Sequence, residues 1–186
     1  MAVFKRLSSS FPVSLLISFC AVIALSTASF RVEFAPPEIM ALCEKSINHT
    51  FCLNFLNSTA GIPAADLLGA GEITLNASLH EAQDTRNYVK TLVGQTTIDP
   101  KQKQSYETCL DNYDVAIGAI SEAKASLLSG DYETANIEIS AAQTDSDTCN
   151  DEVKGAAAAA AELVERNDYL FNVLDVALVI TNKLAG

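Results

Sequence analysis

The sequence predicts an all-α protein: a small N-terminal helical hairpin followed by an up-down-up-down four-helix bundle, in a chain of 186 residues. Three observations predict it. Apolar residues recur at steps of three and four along four long segments. The breaks between those segments are short, so successive helices run antiparallel. Gly (8) and Pro (5) are too scarce for the turn every ten or so residues that an all-β chain needs.

In chain order, Lys5 and Arg6 precede an apolar run from Phe11 to Leu25, and Ser26-Thr27-Ala28-Ser29 then supplies small residues. A charged start, an apolar centre and a small-x-small site describe a secretory signal peptide over residues 1–28, cut after Ala28. A membrane anchor is the competing reading. The run is broken by Pro12, Ser14 and Ser18 and falls short of the roughly 20 apolar residues that span a bilayer. Cleavage removes two of the 12 cations and none of the 23 acids, leaving 10 against 23, or −13. The mature chain then reads as one domain, 29–186: an N-terminal extension and hairpin over 29–60 and a four-helix bundle over 61–186.

Of the five cysteines, Cys20 leaves with the signal segment, and Cys43, Cys52, Cys109 and Cys149 remain. In an oxidising compartment four cysteines imply two disulfides with three possible pairings. The spacing favours Cys43–Cys52 and Cys109–Cys149. In the chain-entropy account such bridges contribute about 3 and about 4 kcal/mol. A zinc site would call for CxxC pairs or histidine ligands, and the only histidines are His49, inside a sequon, and His80, at a helix-surface position. Three glycosylation sequons begin at Asn48, Asn57 and Asn76, in keeping with a secretory route.

The hairpin is read from Pro37 to about Ser58, where Leu42, Ile47, Phe51, Leu53 and Phe55 need a surface to pack on. In the first bundle helix Leu75, Leu79, Ala82, Val89 and Val93 share a face, with Gly94 as its stop. Asp99-Pro100 opens the second, Asp as N-cap and Pro at the first helical position, where its missing N–H costs nothing. Tyr106, Cys109, Tyr113, Ile117, Ile120 and Leu127 carry that helix to Gly130. Asp131 caps the third, with Ala135, Ile139, Ala142 and Cys149 on one face. The alanine run 156–161 starts the fourth, since Ala has the best helix propensity, and Leu163, Leu170, Val173, Ala177, Ile180 and Leu184 continue it. Cys109 and Cys149 fall on inward faces of the second and third helices, so a bridge between them would staple the bundle.

Catalytic patterns are missing from the sequence. It has no GxSxG elbow, no HExxH, no Walker loop and no glycine-rich dinucleotide turn. The stretch Asp145 to Asp151 hints at a calcium loop. It has Asn150 where the loop needs Gly and Ala156 where it needs a bidentate Glu. The reading is therefore a non-enzyme with no cofactor and no metal. Without clustered cations, nucleic acid is excluded as a partner. The negative charge disfavours direct binding to an anionic polysaccharide such as pectin and favours a basic protein surface, with association that weakens as salt rises. A rigid, stapled helical surface suits a protein-binding module, because little conformational freedom is lost on association. A lipid-carrying bundle would need a roomy core, which the small Ala-rich packing faces oppose.

Several landmarks, in order and properly spaced, resemble the plant invertase and pectin methylesterase inhibitor family. They are Ala41-Leu42-Cys43 through Cys52-Leu53; Tyr106-Glu107-Thr108-Cys109-Leu110-Asp111-Asn112-Tyr113 followed by Ala116-Ile117; Ser129-Gly130-Asp131-Tyr132; Ser140-Ala141-Ala142 leading to Asp147-Thr148-Cys149; and Leu178-Val179-Ile180-Thr181-Asn182. The resemblance implies the same hairpin and bundle with the first cysteine joined to the second and the third to the fourth. It also implies secretion to the apoplast and cell wall.

Within that family, inhibitors of acid invertase carry a Pro-Lys-Phe element after the Gly-Asp that follows the second bundle helix. Here Tyr132-Glu133-Thr134 stands in its place. Ile98-Asp99-Pro100-Lys101 and the Tyr106–Tyr113 stretch are instead similar to the kiwifruit-type pectin methylesterase inhibitors. The resemblance thus implies a non-covalent 1:1 complex that covers the pectin-binding cleft of a pectin methylesterase, with acid invertase as the alternative target. The partner-binding residues it implies are Asp111 and Asn112 on the second bundle helix and Thr148 and Asp151 on the third. Two acids of the family pattern are replaced by Val115 and Gly118, with Asp114 nearby as a possible substitute. Carboxylates at the contact would make binding depend on pH in the acidic range. A fused esterase pro-region is a further reading, disfavoured by a chain that ends at Gly186.

Overall fold

The computed structural model describes residues 37–59, 66–154 and 159–186, all within one compact unit, Ala35–Gly186. The signal peptide expected over 1–28, the extension expected after it and the start of the alanine run lie outside the described residues. Six helices follow one another: α1 (Pro37–Cys43), α2 (His49–Ser58), α3 (Leu67–Val93), α4 (Pro100–Ser129), α5 (Tyr132–Val153) and α6 (Ala159–Ala185). Helices α3 to α6 form the antiparallel four-helix bundle, packed in the cyclic order α3–α4–α5–α6 with α6 returning to α3. The helical hairpin is α1 and α2, and it lies against α6.

Side-chain oxygens set the helix starts. Asp66 accepts from the Gly69 N–H at 2.9 Å, Asp99 from Lys101 at 2.9 Å, Asp131 from Thr134 at 3.1 Å and Asn48 from Phe51 at 3.1 Å. Each thereby satisfies a donor that a helix N-terminus leaves without an internal partner. Gly130 closes α4 in the left-handed region at φ 83°, and the Asp131 N–H reaches back to the Ser126 carbonyl at 2.9 Å. Gly94 also ends its helix, but with right-handed backbone at φ −74°.

The pattern legible from Leu75 belongs to a helix that starts earlier, at Leu67. Gly69 and Gly71 obscure that first stretch, because glycine disfavours helix interiors. Packing is tight at Gly71: a Cβ there would sit 3.0 Å from a Leu127 methyl and 3.4 Å from an Ile180 methyl, so those side chains would have to give way.

The bundle core is built from the residues the periodicity marks. Leu75, Tyr106, Tyr113, Ile120, Ile139, Leu163 and Leu170 are sealed from solvent, each worth about 1.5–3 kcal/mol for the apolar surface removed. Buried alanines at 82, 116, 123, 135, 142 and 177 let the helices approach closely. A second, smaller core joins Leu42, Cys43, Cys52, Phe55 and Leu56 of the hairpin to Val173, Val176 and Val179 of α6. This is the surface the hairpin requires, and it gives α6 two apolar faces between Val173 and Ile180, as a helix covered on both sides must have.

Both disulfides join consecutive cysteines, Cys43 to Cys52 and Cys109 to Cys149. The hairpin is also fastened by a buried acid. Asp175 on α6, only 5% exposed, accepts from the Ser46 hydroxyl at 2.5 Å and from the Ile47 N–H at 3.0 Å.

Candidate partner-binding surface

The disulfide between α4 and α5 brings their Cα atoms to 4.7 Å and fixes the register of the two helices. All four candidate contact residues lie within one helical turn of it. Asp111 and Asn112 follow Cys109, and Thr148 and Asp151 flank Cys149. Asp111, Thr148 and Asp151 are exposed, and Asn112 is half-buried.

Their surroundings differ. Asp111 has no ion pair or side-chain hydrogen bond among the described residues. The Thr148 hydroxyl donates to its own helix, to the Thr144 carbonyl at 2.8 Å. Asp151 accepts from the Lys154 ammonium and raises that group's pKa. Among the described residues the buried Asn112 amide nitrogen has no hydrogen-bond partner, and neither has one buried oxygen of Asp145 on the facing helix. Each of these two residues is one turn from its disulfide cysteine. Burial pushes the Asp145 carboxyl above the ordinary carboxylate range.

The next turns of α4 carry less charge. Val115 is 60% exposed, and a Cβ added to Gly118 would have nothing within 4 Å. Asp114, the nearby acid, is exposed and paired. Arg86 of α3 grips it with both Nε and Nη2, the latter at 3.0 Å, and holds its carboxyl below the ordinary range. A two-point guanidinium–carboxylate pair of this kind commits the charge to the α3–α4 seam.

Behind the disulfide a buried polar chain ties this face to α6. The Tyr113 hydroxyl donates to Asn167 at 2.5 Å, and the Asn167 amide donates to Cys149 Sγ and Asn150 Oδ1, both at 3.5 Å. Asn150 in turn donates to Asp168 at 2.9 Å. Burial pushes the Tyr113 phenol far upward, so it stays protonated and remains a donor. Sequence reasoning missed Asn167, because a polar residue in a helical pattern is ordinarily assigned to solvent, and it noticed Asp145 only as the start of a calcium-loop hint. Among the described residues no group of three or more His, Cys, Asp or Glu is arranged to hold a metal ion, and no described helix is long and apolar enough to cross a membrane.

A rigid, stapled helical face with no nucleophile–base pair on it is suited to docking. The model of one protein family, plant invertase/pectin methylesterase inhibitor, matches residues 37–180. This chain belongs to that family. The plant invertase/pectin methylesterase inhibitor family is one of inhibitor proteins and not of enzymes. A pectinesterase inhibitor from Actinidia deliciosa is 36% identical, with 98% of each chain covered. A putative invertase inhibitor from Platanus orientalis is 30% identical over 76% of this chain and 82% of its own. Among solved structures, a mutant form of a pectin methylesterase inhibitor from Arabidopsis superposes with a TM-score of 0.73 at 34% identity, covering 78% of this chain and 95% of that one.

Proposed function

We propose that this protein is a secreted inhibitor of a plant pectin methylesterase, acting in the cell wall through a non-covalent 1:1 complex that covers the enzyme's pectin-binding cleft. The observation that carries the reading is the match to a pectinesterase inhibitor along 98% of both chains. The α4–α5 face supports it physically. A disulfide and a buried polar network hold Asp111, Asn112, Thr148 and Asp151 in place before the partner arrives, so little ordering cost is left to association. The net negative charge steers the protein toward a basic rim on the enzyme.

The second reading, inhibition of an acid invertase, is carried by the Platanus relative. It is disfavoured by the exposed Glu133, an acid where the invertase-type element has a lysine. Secretion and glycan attachment at Asn48, Asn57 and Asn76 belong to the same proposal. All three asparagines are exposed.

The test is a paired titration of the oxidised protein into a pectin methylesterase and an acid invertase. Near-stoichiometric loss of esterase activity with invertase untouched is the expected result, and the reverse overturns it. Alanine at Asp111, Asn112, Thr148 or Asp151 weakens esterase inhibition, by about tenfold or more for any that is a central contact. An unchanged affinity in the double variant Asp111→Ala/Asp151→Ala would remove both acids from the interface.

A further inference from the structure

Where α1, the start of α3 and the end of α6 meet, outside the bundle core, a cavity of about 760 Å³ opens. That volume is within the roughly 300–1,000 Å³ of small-molecule sites, which are mostly apolar with a few placed polar groups. Its walls are mostly apolar, formed by Ala41 and Leu42 of α1, Leu67 of α3 and Val179 of α6, with Gly186, which follows α6, also lining it. Its rim carries two ammonium groups, Lys45 and Lys183, with Asn182 beside them.

Both lysines are exposed, and what points to a ligand is their placement on a cavity whose other walls are mostly apolar. The chain has 23 acids, and most described cations are taken: Arg86 by Asp114, Lys103 by Glu107, Lys124 by Glu72, Lys154 by Asp151, and Arg166 by Glu81 and Glu162. Lys45 and Lys183 have no carboxylate within ion-pair distance among the described residues. Glu38 lies on the same rim and pairs with neither. The other described cations without a carboxylate, Lys90 and Lys101, sit at the end of α3 and the start of α4.

We infer that this cavity binds a small amphipathic carboxylate of the fatty-acid type, its alkyl chain against Ala41, Leu42, Leu67 and Val179 and its carboxylate between Lys45 and Lys183. The apolar walls are shielded from water by the tail, and each ammonium gains a charge-assisted hydrogen bond to the head. The small alanine faces that oppose a ligand inside the bundle core do not bear on this site, which the hairpin creates by packing beside α6. The inference is independent of esterase inhibition, since none of its residues is on the α4–α5 face.

The experiment titrates a fluorescent C18 polyene fatty acid, and separately its methyl ester, into the protein secreted from a plant cell host. The expected result is saturable one-site binding of the acid, displaced by oleate, with the ester at least tenfold weaker. The double variant Lys45→Glu/Lys183→Glu should bind the acid at least tenfold more weakly while keeping its helical circular dichroism and its esterase inhibition. Three results would each overturn the inference: no saturable binding, equal affinity for acid and ester, or an unchanged affinity in the double variant.

Discussion

In the four-helix bundle every helix packs on two neighbours, and its largest side chains, Tyr106, Tyr113, Ile139 and Leu163 among them, are sealed from water. In the hairpin, α1 and α2 pack chiefly on each other and on one side of α6. Their interior is a strip of Leu42, Phe55 and Leu56, each with a little residual exposure. Both regions carry one disulfide, but the bridges act differently. Cys109–Cys149 joins two helices that are 40 residues apart in sequence, whereas Cys43–Cys52, with a separation of 9, closes the hairpin on itself and holds it to nothing else. Attachment of the hairpin therefore falls to the small core and to Asp175. The comparison teaches that a staple adds rigidity where it is placed, and that docking one unit on another needs separate interactions.

The largest effect should come from the bundle staple. Cys109→Ala/Cys149→Ala should lower the stability of the whole domain by about 4 kcal/mol, read as a shifted urea midpoint in circular dichroism. The matching hairpin variant, Cys43→Ala/Cys52→Ala, should leave that midpoint close to the parent value and loosen only the hairpin. Equal shifts for the two variants would break the comparison.

A smaller and more local effect is expected of Asp175→Ala. It removes the acceptor for Ser46 and Ile47, a loss of about 2 kcal/mol to hairpin docking after the relief of burying a carboxylate is counted. Amide exchange over 46–59 should accelerate while the α4 and α5 amides keep their protection. Uniform acceleration throughout would mean that the hairpin and bundle unfold as one.

The smallest effect concerns Asp145, whose folded-state carboxyl is raised by burial. The folded protein holds that proton more tightly than the unfolded chain does. Stability therefore declines as pH rises from the ordinary carboxylate value through the raised one, and stays lower above it. Asp145→Asn should remove that slope, gaining about 1 kcal/mol or less at pH 7 and nothing at acid pH. A gain that persists at acid pH would assign the effect to packing.

The bundle was legible in the sequence because each of its helices shows an apolar face to the bundle core. Asp99-Pro100, Gly130 and Asp131 mark boundaries by local chemistry alone, and the structure places helix ends at all of them. The start of α3 was hidden because Gly71 answers to Leu127 and Ile180, residues far along the chain. Asp175 was hidden for a related reason. An acid in a helix is assigned to solvent unless the element that covers it is known, and the hairpin's docking place is a long-range fact. At the candidate surface, family landmarks led to Asp111, Asn112, Thr148 and Asp151. The commitment of Asp114 to Arg86, which leaves the turns around Val115 and Gly118 without that acid, could be seen only with α3 beside α4.

The pairing of consecutive cysteines bears on how the chain is made. Synthesis delivers the N-terminal end first, at roughly 5–20 residues per second. In a chain threaded into an oxidising compartment, Cys52 emerges shortly after Cys43, while Cys109 and Cys149 are still to be translated. If the segment that bears Cys20 is cut off first, the first bridge can close when its correct partner is the only other cysteine present, and the second pair then meets with no free thiol left over. Order of birth does the sorting among three possible pairings that thiol–disulfide exchange would otherwise have to perform.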